Sequence, residues 1–191
     1  MGARISLRLK ISQKIIMRSI KKSLGLWAIS VAIILMVPFI ATQFSSEFNW
    51  GLFDFIFVGT VLFGAGLTYE LIARKTGDVM YRSAVGVAIA TAIFLVWVNG
   101  AVGIIGDGPI NLLYFGVLAT GLIGSIIARF KPQGMSRALF AMAIAQALIP
   151  VIALFIGEQN FSPSVLGVFI LNTFFTVMFL VSALLFRHAT K

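Results

Sequence analysis

The stretch Arg129–Gly157 reads RFKPQGMSRALFAMAIAQALIPVIALFIG. Two signals in it decide the fold. Its last twenty residues, Ala138–Gly157, carry no charge and one polar side chain, Gln146. Twenty helical residues reach about 30 Å, the thickness of a bilayer's hydrocarbon core. Its first nine residues hold Arg129, Lys131 and Arg137 and no acid. An apolar span with a basic flank is the mark of a transmembrane helix and of its cytoplasmic end.

Working outward, five more apolar stretches repeat the pattern: Leu24–Gln43, Phe53–Ala73, Ser83–Ile105, Asn111–Ala128 and Ser164–Phe186. They are continuous rather than alternating, which excludes a β-barrel. A helix is the only open-ended form that satisfies its own backbone in lipid. The expected fold class is an all-α membrane protein, a bundle of six transmembrane helices. Composition agrees. Of 191 residues, 60% are hydrophobic and 11% charged, with mean hydropathy +1.04. Soluble domains are nearer about 25% charged. An ordinary soluble fold, a disordered chain and a collagen-like fibre are excluded. With no cysteine, so are a disulfide scaffold, a thiolate metal site and a cysteine nucleophile.

Fifteen Lys and Arg against six Asp and Glu give a net charge of +9. All fifteen fall in residues 1–23, 74–82, 129–137 and 187–191. The intervening loops, 44–52, 106–110 and 158–163, have none and contain Glu47, Asp107 and Glu158. This asymmetry predicts that both termini are cytoplasmic, and it argues against nucleic acid as the partner. The expected organisation is a basic cytoplasmic segment over 1–23, a six-helix domain over 24–187 and a tail over 188–191. Seven cations lie in the first 22 residues. The segment reads either as an amphipathic helix on anionic headgroups or as a basic tail that enforces topology. Membrane lipids are the expected partners, with a second copy or another membrane protein as the remaining partner class.

Lipid gives helices no hydrophobic reason to associate, so close approach at small residues supplies the attraction. The fourth span carries a helix-packing ladder, Gly116, Thr120, Gly124 and Ala128, beside Gly121 and Ser125. The third and fifth offer alanines at the same spacing. These three spans are expected to form the packed centre. The first and sixth, rich in Leu, Ile, Val and Phe, are expected to face lipid.

Catalytic signals are few. The single histidine, His188, lies near the C-terminal end of the sequence, so no serine–histidine dyad or histidine metal site can be assembled. Neither a Gly-rich dinucleotide fingerprint nor a P-loop occurs. No catalytic residue, metal or cofactor is expected. Polar groups at membrane depth are the remaining candidates: Gln146, Asn99, Asn172 and Glu70. Pro150 lacks the N–H that would bond the carbonyl of Gln146, so two groups there need partners. Asn172 and Asn99 are the expected ones. The cluster reads as an interhelical clamp, or as the polar lining of a solute path in the outer half of the bundle. Glu70 has Arg74 four residues on and Lys75 after it. A boundary ion pair suffices for it, with a proton-coupling carboxylate as the alternative. Asp54 is expected to cap the second helix or face water.

The run Leu95-Val96-Trp97-Val98-Asn99-Gly100-Ala101-Val102-Gly103-Ile104-Ile105-Gly106, with Thr68-Tyr69-Glu70-Leu71-Ile72-Ala73-Arg74-Lys75 before it, resembles a group of small uncharacterised bacterial multi-pass inner-membrane proteins. The likeness covers most of residues 30–155, and the long basic N-terminus departs from it. It implies a bacterial inner-membrane location and brings no assigned activity. The expected function is a non-catalytic structural or accessory helix bundle; the alternative is a small transporter or channel.

Overall fold

A computed structural model describes residues 23–40, 42–44, 50–73, 77–105, 108–156, 161 and 164–189. All regular structure among them is helical. The helices are α1 (Ser23–Phe44), α2 (Leu52–Ala73), α3 (Val79–Val102), α4 (Leu113–Ile127), α5 (Pro132–Ile156) and α6 (Val165–His188). A 3-10 turn, Pro109–Leu112, leads into α4. Six helical segments are long and apolar enough to cross a membrane, the fourth of them only with the 3-10 turn included, over Pro109–Ile127. The basic segment 1–22, Arg74, Lys75 and the acids Glu47, Asp107 and Glu158 lie outside the described residues.

Two helices start earlier than the apolar stretches suggest. Helix α3 begins at Val79 because Asp78 caps it, accepting from the N–H groups of Met80 at 2.8 Å and Tyr81 at 3.4 Å. An aspartate there satisfies donors that have no partner inside the helix. Helix α5 begins at Pro132, where a missing N–H costs nothing. Both helices therefore continue beyond the apolar core, and Arg82 and Arg137 stand on helices rather than in loops. Helix α3 stops at Val102, ahead of Ile105, because Gly103 takes φ 58° and returns its N–H to the carbonyl of Asn99 at 3.1 Å. A residue in the left-handed region ends a helix, and glycine takes it without a Cβ clash.

The chain forms two compact units, Met1–Glu70 and Leu71–Lys191. In the first, α1 and α2 form a hairpin. Trp27 lies edge-on to Tyr69 with ring centroids 6.3 Å apart. Its indole also covers Gly66, where a Cβ would sit 2.6 Å from the ring. At the other end of the hairpin Phe39 meets Phe55, and Trp50 meets Phe55. Asp54 turns its carboxylate back onto the N–H of Gly51 at 2.7 Å and so closes the start of α2.

The second unit is a four-helix arrangement in which α4 packs on α5, α5 on α6 and α6 on α3. Helices α3 and α4 are consecutive in the chain and yet touch far less. Helix α6 is central, which corrects the expectation that the sixth span faces lipid. Its inward residues are Val168, Asn172, Phe175, Phe179, Ser182, Ala183 and Phe186. They recur at three- and four-residue spacing, one face of a helix. In lipid the outward face is apolar too, so hydrophobicity alone does not reveal which side turns inward.

The small residues of α4 divide between two faces. A Cβ on Gly124 would stand 2.7 Å from that of Ala138, one on Gly134 of α5 would stand 2.5 Å from that of Ala128, and one on Gly121 would meet Met142. Gly124, Ala128 and Gly121 thus bring α4 against α5. Gly116 does not belong to this contact: it is exposed, with nothing within 4 Å of its would-be Cβ. Thr120 bonds its own helix, at the carbonyl of Gly116, 2.9 Å away. The reason is helical phase. Each four-residue step overshoots a full turn by about 40°, so a ladder at that spacing winds off the interface.

Candidate functional site

Three helices place one polar side chain each at the same buried point. Tyr114 comes from the first turn of α4, Gln146 from the middle of α5 and Asn172 from α6. Gln146 is 0% exposed, and Tyr114 and Asn172 are 1% exposed. Asn172 Nδ2 donates to the carbonyl of Val168 in its own helix at 2.8 Å. That carbonyl can only accept, which fixes the orientation of the amide. Asn172 Oδ1 therefore faces the bundle, where it accepts from Tyr114 Oη at 3.1 Å and from Gln146 Nε2 at 2.9 Å. One oxygen thus ties α4, α5 and α6 together.

Gln146 is less well served than Asn172. Its Oε1 is buried without a hydrogen-bond partner. Pro150 lies inside α5 one turn later and cannot donate to the carbonyl of Gln146. The amide nitrogen is thus committed to the clamp, and the amide oxygen is not.

Asn99 is not part of this cluster. Its Nδ2 donates to the carbonyl of Asn111 at 3.3 Å, while its Oδ1 is buried and without a partner. Asn111 in turn accepts from the N–H of Ile105 at 3.0 Å and donates to the carbonyl of Gly108 at 3.3 Å. The two asparagines organise the turn between α3 and α4, which buries Ile104 and Ile105. Asn99 and Tyr114 share a half-open cleft with Leu95, Val96, Phe115 and Leu118. The cleft encloses about 150 Å³ including its mouth, and it has no room for a water molecule. It lies between α3 and α4, where helix contact is sparse. Gln146 does not line it.

Glu70 sits half-buried in the last turn of α2 and belongs to the other unit. The cations expected to pair with it, Arg74 and Lys75, lie outside the described residues. Among the described residues no three His, Asp or Glu side chains come together as a metal site.

Tyr114 is the member that the sequence reading overlooked. A tyrosine near a helix end reads as an interfacial aromatic. Its signal was the position: one turn below the fourth span's start, a phenol pointed inward must find an acceptor. Two further polar bonds cross helices in this unit. Ser136 Oγ donates to the carbonyl of Ala183 and Ser182 Oγ to that of Ala84, each at 2.8 Å.

No protein-family model, curated protein sequence or solved structure matches the chain. Fold and site therefore define the class alone: an all-helical protein with the spans of a multi-pass membrane protein.

Proposed function

We propose that the chain is a non-catalytic, structural or accessory protein of a bacterial inner membrane, with both termini in the cytoplasm. One observation carries this reading. A buried polar cluster is used to join three helices, through the hydrogen bonds that Asn172 Oδ1 accepts from Tyr114 and Gln146. A polar side chain at membrane depth serves either packing or passage, and this one is sealed from solvent. The threading rests on the placement of all fifteen cations. A bacterial inner membrane is what the likeness read over most of residues 30–155 would imply. In this reading the cations of residues 1–23 attract anionic headgroups or serve only to fix the threading.

The second reading is a small transporter or channel. The unpartnered oxygens of Gln146 and Asn99 favour it, because a passing solute or ion could use such acceptors. Gln146→Leu separates the two. A clamp loses about 0.6–1.7 kcal/mol, the range for hydrogen bonds between membrane helices, and the flux of reconstituted liposomes stays at the lipid background. An unchanged melting point in detergent together with altered solute uptake would reverse the preference.

A further inference from the structure

We propose that the α5–α6 contact holds one buried water molecule, which donates to Gln146 Oε1 and accepts from the hydroxyl of Thr176 on α6. The proposal rests on the reading of Asn172 and its partners as a clamp, and it adds a bound ligand to that clamp.

Two buried polar atoms on these helices have no hydrogen-bond partner, Gln146 Oε1 and Thr176 Oγ1. Thr176 is the exception among the described threonines. Thr42, Thr60, Thr68, Thr91, Thr120 and Thr173 each donate to a carbonyl three or four residues back in their own helix, at 2.7–2.9 Å. That local bond is how a hydroxyl on a helix usually satisfies itself. For Thr176 the corresponding acceptor is the carbonyl of Asn172, and its hydroxyl does not take it. A buried donor that forgoes its own backbone costs free energy until another partner meets it.

Two bonds set the register of α5 on α6. Ser136 reaches the carbonyl of Ala183, and Gln146 reaches Asn172. Rising numbers on α5 meet falling numbers on α6, so the helices are antiparallel and Thr176 stands level with Met142 and Ala143. At about 100° per residue, Thr176 lies roughly 20° round α6 from Ala183 and roughly 40° from Asn172, on the side that meets α5. Gln146 is about one turn further along, roughly 5 Å. Side chains tilt toward the start of their own helix, so in an antiparallel pair Gln146 and Thr176 lean toward each other. Ala143, level with Thr176, brings only a methyl group and is 1% exposed. Two polar groups that face one another outside direct bonding reach are the setting in which a water bridges. A buried water needs two to four polar partners. An amide oxygen and a hydroxyl together call for a ligand that both donates and accepts, and water is the smallest.

The test uses the full chain, isotope-labelled, in phospholipid bilayers. Solid-state NMR measures magnetisation transfer from water protons to Thr176 and to the side chain of Gln146. Both should receive it well ahead of Ser182, a buried hydroxyl that bonds the carbonyl of Ala84. Transfer no faster than at Ser182 overturns the proposal. Unfolding by a denaturing detergent gives a second reading. Thr176→Val keeps the shape, removes the hydroxyl and should lower the folding equilibrium constant about fivefold, the worth of one hydrogen bond. Thr176→Ser should keep the water transfer. In the Gln146→Leu background, Thr176→Val should cause no further loss. With a dry hydroxyl the sign reverses, because valine then relieves a buried unpaired donor. A neutral or stabilising Thr176→Val in the wild-type background therefore overturns the proposal. Flux through Gln146→Leu liposomes tests the clamp reading separately. Altered solute uptake refutes the clamp, and a dry Thr176 with background flux refutes the water alone.

Discussion

Helices α1 and α5 have the same mean hydropathy, 2.5, yet 6% of the α1 span is buried against 39% of the α5 span. To a bilayer the two are equally good helices. They differ in what they offer a neighbouring helix. Helix α5 brings Ala138, Ala143 and Ala153, the polar Ser136 and Gln146, and neighbours on two sides. Helix α1 brings Leu, Ile, Val and Phe that stay largely exposed. Its close approaches among the described residues are Trp27 over Gly66 and Leu35 beside Gly59. Hydrophobicity therefore selects the solvent, while small residues and polar pairs select the partner.

The largest expected effect tests the buried side of this comparison. Phe179 of α6 is 0% exposed and Phe39 of α1 is 56% exposed. Phe179→Ala should cost about 3 kcal/mol or more, and Phe39→Ala, which gives up only an exposed edge-on pair with Phe55, about 1 kcal/mol. Unfolding by titration with a denaturing detergent reads both, and equal losses would break the comparison. The next effect is smaller and concerns helix approach. Gly124→Leu drives a side chain into Ala138 and should cost about 1–3 kcal/mol, whereas Gly116→Leu enters open space and should leave the midpoint unchanged. A matching loss at Gly116 would place a partner on that face. The smallest effect separates bonds between helices from bonds within one. Ser182 donates to Ala84 across the α6–α3 contact, and Ser30 donates to Leu26 in its own helix. Ser182→Ala should cost about 0.5–1 kcal/mol, and Ser30→Ala nothing measurable in the same titration. A loss at Ser30 equal to that at Ser182 would remove the distinction.

The six spans were legible because each apolar run matches the thickness of the hydrocarbon core. Their ends were less so. Asp78 and Pro132 extend α3 and α5 beyond the apolar stretch through capping and φ preference, which a hydropathy reading passes over. The inward face of α6 was hidden, since Phe175, Phe179 and Phe186 resemble the phenylalanines that meet lipid. Within the candidate site, Gln146 and Asn172 stood out as costly amides in apolar surroundings, and the structure brings them within 2.9 Å. Asn99 stood out equally but serves the turn beside it. Tyr114 is the reverse case, a residue unremarked in sequence that becomes the third member of the cluster.

Residue order along the chain was enough to show which solvent the protein suits and where its spans fall. Both follow from transfer free energy and charge placement, which act locally and add along a helix. Which helices touch was a different matter. That α6 lies between α3 and α5, that α3 and α4 part around a cleft, and that Asn172 serves two partners emerged only once the helices were packed. Inside a bilayer nearly every face is apolar, so the choice among faces rests on steric fit and on the few hydrogen bonds that distant residues can complete.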